Sequence, residues 1–261
     1  MVTMVPVRTA SSIAFAAIAC LLPVHAHAQD ASPWIKDTYS AVRLIAGSRS
    51  GNVLLGGIGF QMEPGWKTYW RTPGDSGVPP RIDFAKSDNV ESVTILWPAP
   101  MQFPDGAGGI SFGYRNQVLL PLRIIAKSPD KPVTLRAAIS YAVCEKLCIP
   151  VEAAAELAFR SVASTEDNAI AAALETVPKP AKVGDATPLS IREVRREDKR
   201  VLVDVVAQDD KAPSGKAAND KAANRDIELF VEGPTQDWAY SPGGFGAMSS
   251  VEPLPSTGTK G

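Results

Sequence analysis

Between Tyr39 and about Val162 apolar and polar residues alternate with a period of two, and glycine and proline break the rhythm at short intervals. The alternation predicts strands over 39–46 (YSAVRLIA), 52–62 (NVLLGGIGFQM), 90–97 (VESVTILW), 117–125 (QVLLPLRII) and 132–143 (PVTLRAAISYAV). Turn-rich pieces lie between them: TPGDSGVPP, PAPMQFPDGAGG and KSPDKP. Short strands so punctuated indicate a mainly β chain folded as an antiparallel sandwich rather than as alternating β-α units.

The rhythm changes after residue 163. Residues 164–177 (STEDNAIAAALETV) predict a helix, with Ser164 or Thr165 as its cap, acidic residues in its first turn and Pro178 as its stop. A linker (VPKPAKVGDATP) follows, and residues 189–208 then read as a hairpin turning at the charged RRED. A polar loop (DKAPSGKAANDKAAN) leads to one more strand, DIELFVEG, before a tail rich in Gly, Ser and Pro. The expected organisation is a sandwich domain over 30–163, helix and linker over 164–180, a small or incomplete β unit over 181–241 and a flexible tail over 242–261. Three strands are too few for an independent sandwich.

The first 28 residues change the inventory. One charge, Arg8, precedes the apolar run SSIAFAAIACLLPV, and small residues stand at Ala26 and Ala28. This is the pattern of a secretory leader cut before Gln29, and the run is shorter than the ~20 apolar residues of a membrane span. A lipidated Cys20 is the rival, disfavoured because Leu21 and Leu22 continue the apolar run past it. Cleavage removes Cys20 together with His25 and His27, the chain's two histidines. The mature chain then has no histidine for a Ser-His-Asp triad, a Cys-His pair or a histidine metal site. Acidic residues slightly outnumber basic ones, without a basic stripe for nucleic acid or a later apolar run to cross a bilayer. The expectation is an exported, periplasmic protein whose ~230 remaining residues bury an adequate core without covalent staples.

What cleavage leaves is one cysteine pair, in YAVCEKLCIP at 141–150. Upstream, Leu135, Ala137, Ile139, Tyr141 and Val143 alternate with more polar neighbours; downstream, Val151, Ala153, Ala155, Leu157 and Phe159 do the same. Both flanks read as half-buried strands, which makes CEKLCIP the tip of a hairpin. A helix starting at Pro150 is the less favoured alternative. Along one strand Cys144 and Cys148 would stand about 13 Å apart, whereas across a hairpin mouth their Cβ atoms come within about 4.5–5.5 Å, close to bonding range. An even cysteine count in an exported chain points to a disulfide.

Such a bond closes a loop of about five residues, which constrains the unfolded chain by only ~2 kcal/mol, against nearly 5 for a loop of about 100. That small gain, and the reach of a loop tip for another protein's thiolate, favour redox exchange over a staple. A structural disulfide and a two-thiolate Cu(I) site remain open on spacing alone. Lys146 would favour a thiolate and Glu145 oppose it, while Pro150 removes a backbone donor beside the pair. The spacing does not say which sulfur faces outward. No bound cofactor is required, since the sulfurs themselves are the redox group.

A second conspicuous stretch, EPGWKTYWRTPGDSGVPP at 63–80, packs Trp66, Tyr69, Trp70 and Arg71 between turn residues. These rings fill the core, or they shield the cysteine pair, dock a partner or bind a glycan. Together with WPAPMQF, GYRNQVLLPLRI and VCEKLCIPVEAAAEL, this block resembles the exported N-terminal region of the DsbD/ScsB group of thiol:disulfide interchange proteins, over roughly Tyr39 to Val162. The short cysteine spacing is closer to the ScsB-like branch. The resemblance implies an immunoglobulin-like sandwich in which Cys144 and Cys148 relay electrons from a membrane donor to periplasmic targets. Copper tolerance and cytochrome c biogenesis are the settings it suggests. Longer members continue into a membrane-spanning conduit and a thioredoxin-like domain that these 261 residues lack, so the expected partners are a separate membrane-embedded thiol donor and periplasmic thiol-disulfide proteins. The competing expectation is a non-enzymatic binding module whose disulfide trims a turn.

Overall fold

A computed structural model of the chain describes residues 30–104, 108–159, 162–187, 189–197, 200–207, 230 and 232. Its strands, in chain order, are β1 (Ile35–Lys36), β2 (Ser40–Ser50), β3 (Val53–Met62), β4 (Lys67–Gly74), β5 (Arg81–Asp83), β6 (Val90–Ile95), β7 (Met101–Pro104), β8 (Ile110–Arg115), β9 (Gln117–Ala126), β10 (Val133–Cys144) and β11 (Cys148–Phe159). Helix α1 (Asp167–Leu174) and the strands β12 (Leu189–Glu197) and β13 (Arg200–Ala207) follow. Among the described residues, β1-β2-β3-β9-β6 form one antiparallel sheet and β11-β10-β4-β8-β7 a second, with β5 pairing β10 beside β4. The two sheets make an antiparallel sandwich, as the alternation predicted, of the immunoglobulin-like kind that the resemblance implied.

The alternation explains the core. Every second residue of a strand faces the same side; in β10 Val133, Leu135, Ala137, Ile139, Tyr141 and Val143 are all buried. They meet Val42, Leu44, Leu54, Ile58, Phe60, Leu120, Leu122 and Ile124 of the opposite sheet in one cluster. Three of the buried hydroxyls are paired: Ser40 Oγ and Tyr141 Oη lie 2.8 Å apart, and the Tyr114 hydroxyl donates to the Pro98 carbonyl at 2.9 Å. Burial pushes both phenols above their ordinary pKa; the Ser40 hydrogen bond partly opposes this at Tyr141, and the Arg71 charge at Tyr114.

Two turn-rich stretches prove to contain strands. Residues 67–74, within the aromatic block and running into TPGDSGVPP, are β4, and residues 101–104, within PAPMQFPDGAGG, are β7. Alternation is hidden in β4 because consecutive residues Thr68, Tyr69 and Trp70 are all buried, so neither face looks polar. Strand β7 has four residues and lies at a sheet edge, too short to show a period. In 151–159 the strand wins over a helix despite the Ala and Glu content.

The helix starts later than its capping signal suggests. Glu166 is the N-cap, without a side-chain cap bond. Ser164 Oγ instead accepts from the Glu166 amide at 3.0 Å, and Asp167 accepts from the Ser48 amide at 2.7 Å. Ile170, 1% exposed, seats the helix against Gly47, where an added Cβ would come within 2.6 Å of its Cδ1. The 189–207 hairpin forms with Glu197 opposite Arg200, so Arg195 and Arg196 belong to the ladder and not to the turn. The expected leader with Cys20, the tail and most of DIELFVEG lie outside the described residues. No helix among the described residues is long and apolar enough to cross a membrane.

Candidate redox site

The register of β10 against β11 runs from Val133↔Phe159 to Cys144↔Cys148, so the two cysteines are the closing pair of the hairpin. Glu145, Lys146 and Leu147 make the connection, a loop length common in hairpins. The pair is bonded, with Cα atoms 4.2 Å apart. Because β10's odd-numbered residues face the core, Cys144 falls on the outer face of its sheet, next to Ala142 on that side.

That outer face is covered at Cys144 and open at Cys148. Cys144 is 2% exposed, whereas Cys148 is exposed, as are Glu145, Lys146 and Pro150. Leu147, at the tip, is 76% exposed. The cover over Cys144 comes from β4, which pairs β10 through Thr68↔Val143 and Lys67↔Cys144 and is pinned by Thr68 Oγ1 donating to the Ala142 carbonyl at 2.9 Å. This puts Tyr69 on the outer face, 3% exposed, with Ala142 and Cys144 in a small cluster separate from the main core. The Tyr69 hydroxyl donates to Cys144 Sγ at 3.0 Å and stands 3.2 Å from Cys148 Sγ. One hydroxyl thus touches both sulfurs.

Two glycines allow close packing around Tyr69, one against its backbone and one against its ring. Gly113 of β8 lies opposite Tyr69, and a Cβ there would sit 2.0 Å from the Thr68 carbonyl oxygen. Gly77, in the loop after β4, lies so close over Tyr69 that a Cβ would come within 2.8 Å of its Cδ1. Cations gather one strand over from the sulfurs. Lys67 Nζ is 4.9 Å and Arg115 Cζ 4.7 Å from the ring centroid of buried Phe103, and Lys67 also donates to Ser111 Oγ at 3.2 Å. In ladder order the row reads Cys148, Cys144, Lys67, Arg115.

Of the aromatics picked out in 63–80, only Tyr69 reaches the sulfurs. Trp70 points into the main core, and Trp66 stacks on Tyr39 with centroids 3.8 Å apart at the β3–β4 turn. The same turn brings Gly65 near Glu145, where an added Cβ would lie 3.6 Å from Oε1. Lys67 and Phe103 were missed by sequence reasoning. The signal for Lys67 was present, since Lys67, Tyr69 and Arg71 share one face once the block is read as a strand; nothing in the sequence marked Phe103. No cluster of three or more metal-ligating side chains occurs among the described residues.

Residues 38–160 match the family model of the thiol:disulfide interchange protein DsbD, N-terminal. Among solved structures the chain is similar to the N-terminal periplasmic domain of ScsB from Proteus mirabilis, at 27% identity and a TM-score of 0.51, covering 59% of this chain and 62% of that one. The chain therefore spans less than two thirds of that structure. The reduced form of the Neisseria meningitidis DsbD N-terminal domain aligns over 44% of this chain and 83% of that chain, at 12% identity and a TM-score of 0.29. No curated protein matches the chain.

Proposed function

Since residues 38–160 belong to the family of the DsbD N-terminal domain, we propose that this chain carries out thiol–disulfide interchange through reversible opening of the Cys144–Cys148 bond. The observation that carries the reading is the asymmetry of the pair: one cysteine exposed, the other buried beneath a phenol that touches both sulfurs. In the reducing direction a donor thiolate attacks Cys148 Sγ. The S–S bond breaks, and its electron pair leaves on Cys144 Sγ, where the Tyr69 hydroxyl already donates. The donor's second thiol then cleaves the mixed disulfide and leaves both cysteines reduced. In the forward direction the Cys148 thiolate attacks a target disulfide. Cys144 next attacks Cys148 Sγ, re-forms the bond and releases the target's thiolate with two electrons transferred.

Tyr69 is a positioning and stabilising group in this scheme. Its hydrogen bond to a leaving thiolate is worth more than the same bond to a neutral disulfide sulfur. The leader pattern and the likeness to a periplasmic ScsB domain support an exported setting. There the donor is a membrane-embedded thiol protein and the recipients are exported proteins with disulfides.

The test is the reduction potential of the pair, by equilibration with glutathione or dithiothreitol and thiol alkylation. A value above about −300 mV is expected for a working exchange pair, and a lower one would mark an inert structural bond. Tyr69→Phe should make the potential more negative by about 30 mV, equivalent to a hydrogen-bond difference of about 1.4 kcal/mol, with the thermal unfolding curve little changed. An unchanged potential would remove Tyr69 from the chemistry.

A further inference from the structure

Strand β4 has a second half that the sulfur chemistry does not use. Beyond Tyr69 come Trp70, which faces the core, and Arg71 and Thr72, whose side chains reach the surface. The Arg71 guanidinium stacks on the Trp70 ring, 4.8 Å from its centroid. Trp70 and Phe112 form an aromatic notch, and Phe230 fills it. Its centroid is 5.9 Å from Trp70 at 65° and 5.4 Å from Phe112 at 83°, both edge-to-face arrangements.

Two residues on, Glu232 accepts from Arg71 Nε at 2.8 Å, from Arg71 Nη2 and from Thr72 Oγ1 at 2.5 Å. This is the two-pronged guanidinium–carboxylate match that reads a carboxylate by shape as well as charge. The Arg71 hydrogen bonds hold the Glu232 carboxyl below its ordinary pKa, with burial opposing and Thr72 assisting. The ring and the carboxylate enter side by side onto one stacked Trp–Arg platform. The segment arrives from a distance, because residues 208–229 separate it from the end of β13.

We propose that Trp70, Arg71, Thr72 and Phe112 form a docking site for an extended peptide bearing an aromatic and a carboxylate two residues apart, filled in cis by Phe230 and Glu232. Its specificity has two parts. The notch takes a ring, and the fork takes a carboxylate at a fixed offset, so either one alone is held weakly. Tethering gives the chain's own segment a high local concentration, so it outcompetes a free peptide of the same sequence.

The full chain with Phe230→Ala and Glu232→Gln opens the site for test with a synthetic peptide of residues 226–234, DIELFVEGP, followed by tryptophan fluorescence and calorimetry. The opened variant should bind the peptide saturably, and the unmodified chain at least about tenfold more weakly, because its own segment competes. Replacing either the Phe or the Glu of the peptide should weaken binding at least about tenfold. Arg71→Glu should release the segment, and adding Glu232→Arg should restore the near-UV signal of Trp70. The site is refuted by failure of the peptide to bind the opened variant, by equal binding to both chains, or by equal binding of a scrambled sequence. It is likewise refuted by a charge exchange that restores nothing. None of these outcomes bears on the thiol exchange.

Discussion

Cys144→Ala will accumulate a covalent complex with disulfide-bearing partners, and Cys148→Ala will not. Removal of Cys144 leaves the exposed Cys148 able to attack but takes away the thiolate that would resolve the mixed disulfide. Removal of Cys148 leaves only Cys144, 2% exposed and beneath Tyr69, which a bulky partner cannot reach. Both variants lose multiple turnover completely, since each lacks half of the electron pair's carrier. Non-reducing electrophoresis against an oxidised model substrate distinguishes them, with at least about tenfold more trapped complex for Cys144→Ala expected from the difference in access. Equal trapping by the two variants, or more by Cys148→Ala, would overturn the assignment of Cys148 as the outward sulfur.

The second large effect is on stability, and it falls on a residue that touches no sulfur. Gly113→Ala places a methyl 2.0 Å from the Thr68 carbonyl oxygen, inside any tolerable contact, so β8 and β4 must move apart. The pairs Lys67↔Arg115, Thr68↔Tyr114 and Tyr69↔Gly113 loosen together. A cost of about 3 kcal/mol in chemical denaturation is expected, at the upper end for overpacking within a rigid ladder. The remaining folded protein should reduce with altered kinetics, because Tyr69 is displaced. Gly51→Ala is the control: Gly51 has φ +61° and open space around it, so only backbone strain of roughly 1 kcal/mol applies. Equal losses at the two positions would show that the close approach of β8 to β4 is not a constraint.

Much of the frame was legible in the amino-acid order because period-two patterns report which strand face is buried. Strands β2, β3, β6, β9 and β10 fall where the alternation put them, and the cysteines meet across a hairpin mouth as the flanking strands required. The site itself was half legible. Cysteine spacing gave the bond and the turn, but the environment of the bond comes from β4, β7 and β8, and none of these read as a strand. Tyr69 sits among four conspicuous ring and charge residues, and its letter does not say which of them faces the sulfurs. That choice follows from the parity of β4 relative to β10, a long-range register that one strand's composition does not encode. Lys67, opposite Cys144, shares Tyr69's face and becomes readable once the block is taken as a strand, whereas Phe103, opposite Ser111, carries no local signal. The Phe230–Glu232 dock joins residues 160 apart, beyond any local pattern.

The cysteines are one rung of a twelve-rung ladder between β10 and β11, and their bond closes a loop of about five residues counted with both of them. Breaking the sulfur bond frees about 2 kcal/mol of loop constraint and leaves the backbone ladder and the entire core in place. Loaded and unloaded carriers thus present nearly the same silhouette to whatever meets them. Donor and recipient must approach the one open sulfur, so they visit in alternation, and traffic is sorted by relative electron affinity instead of by a change of shape.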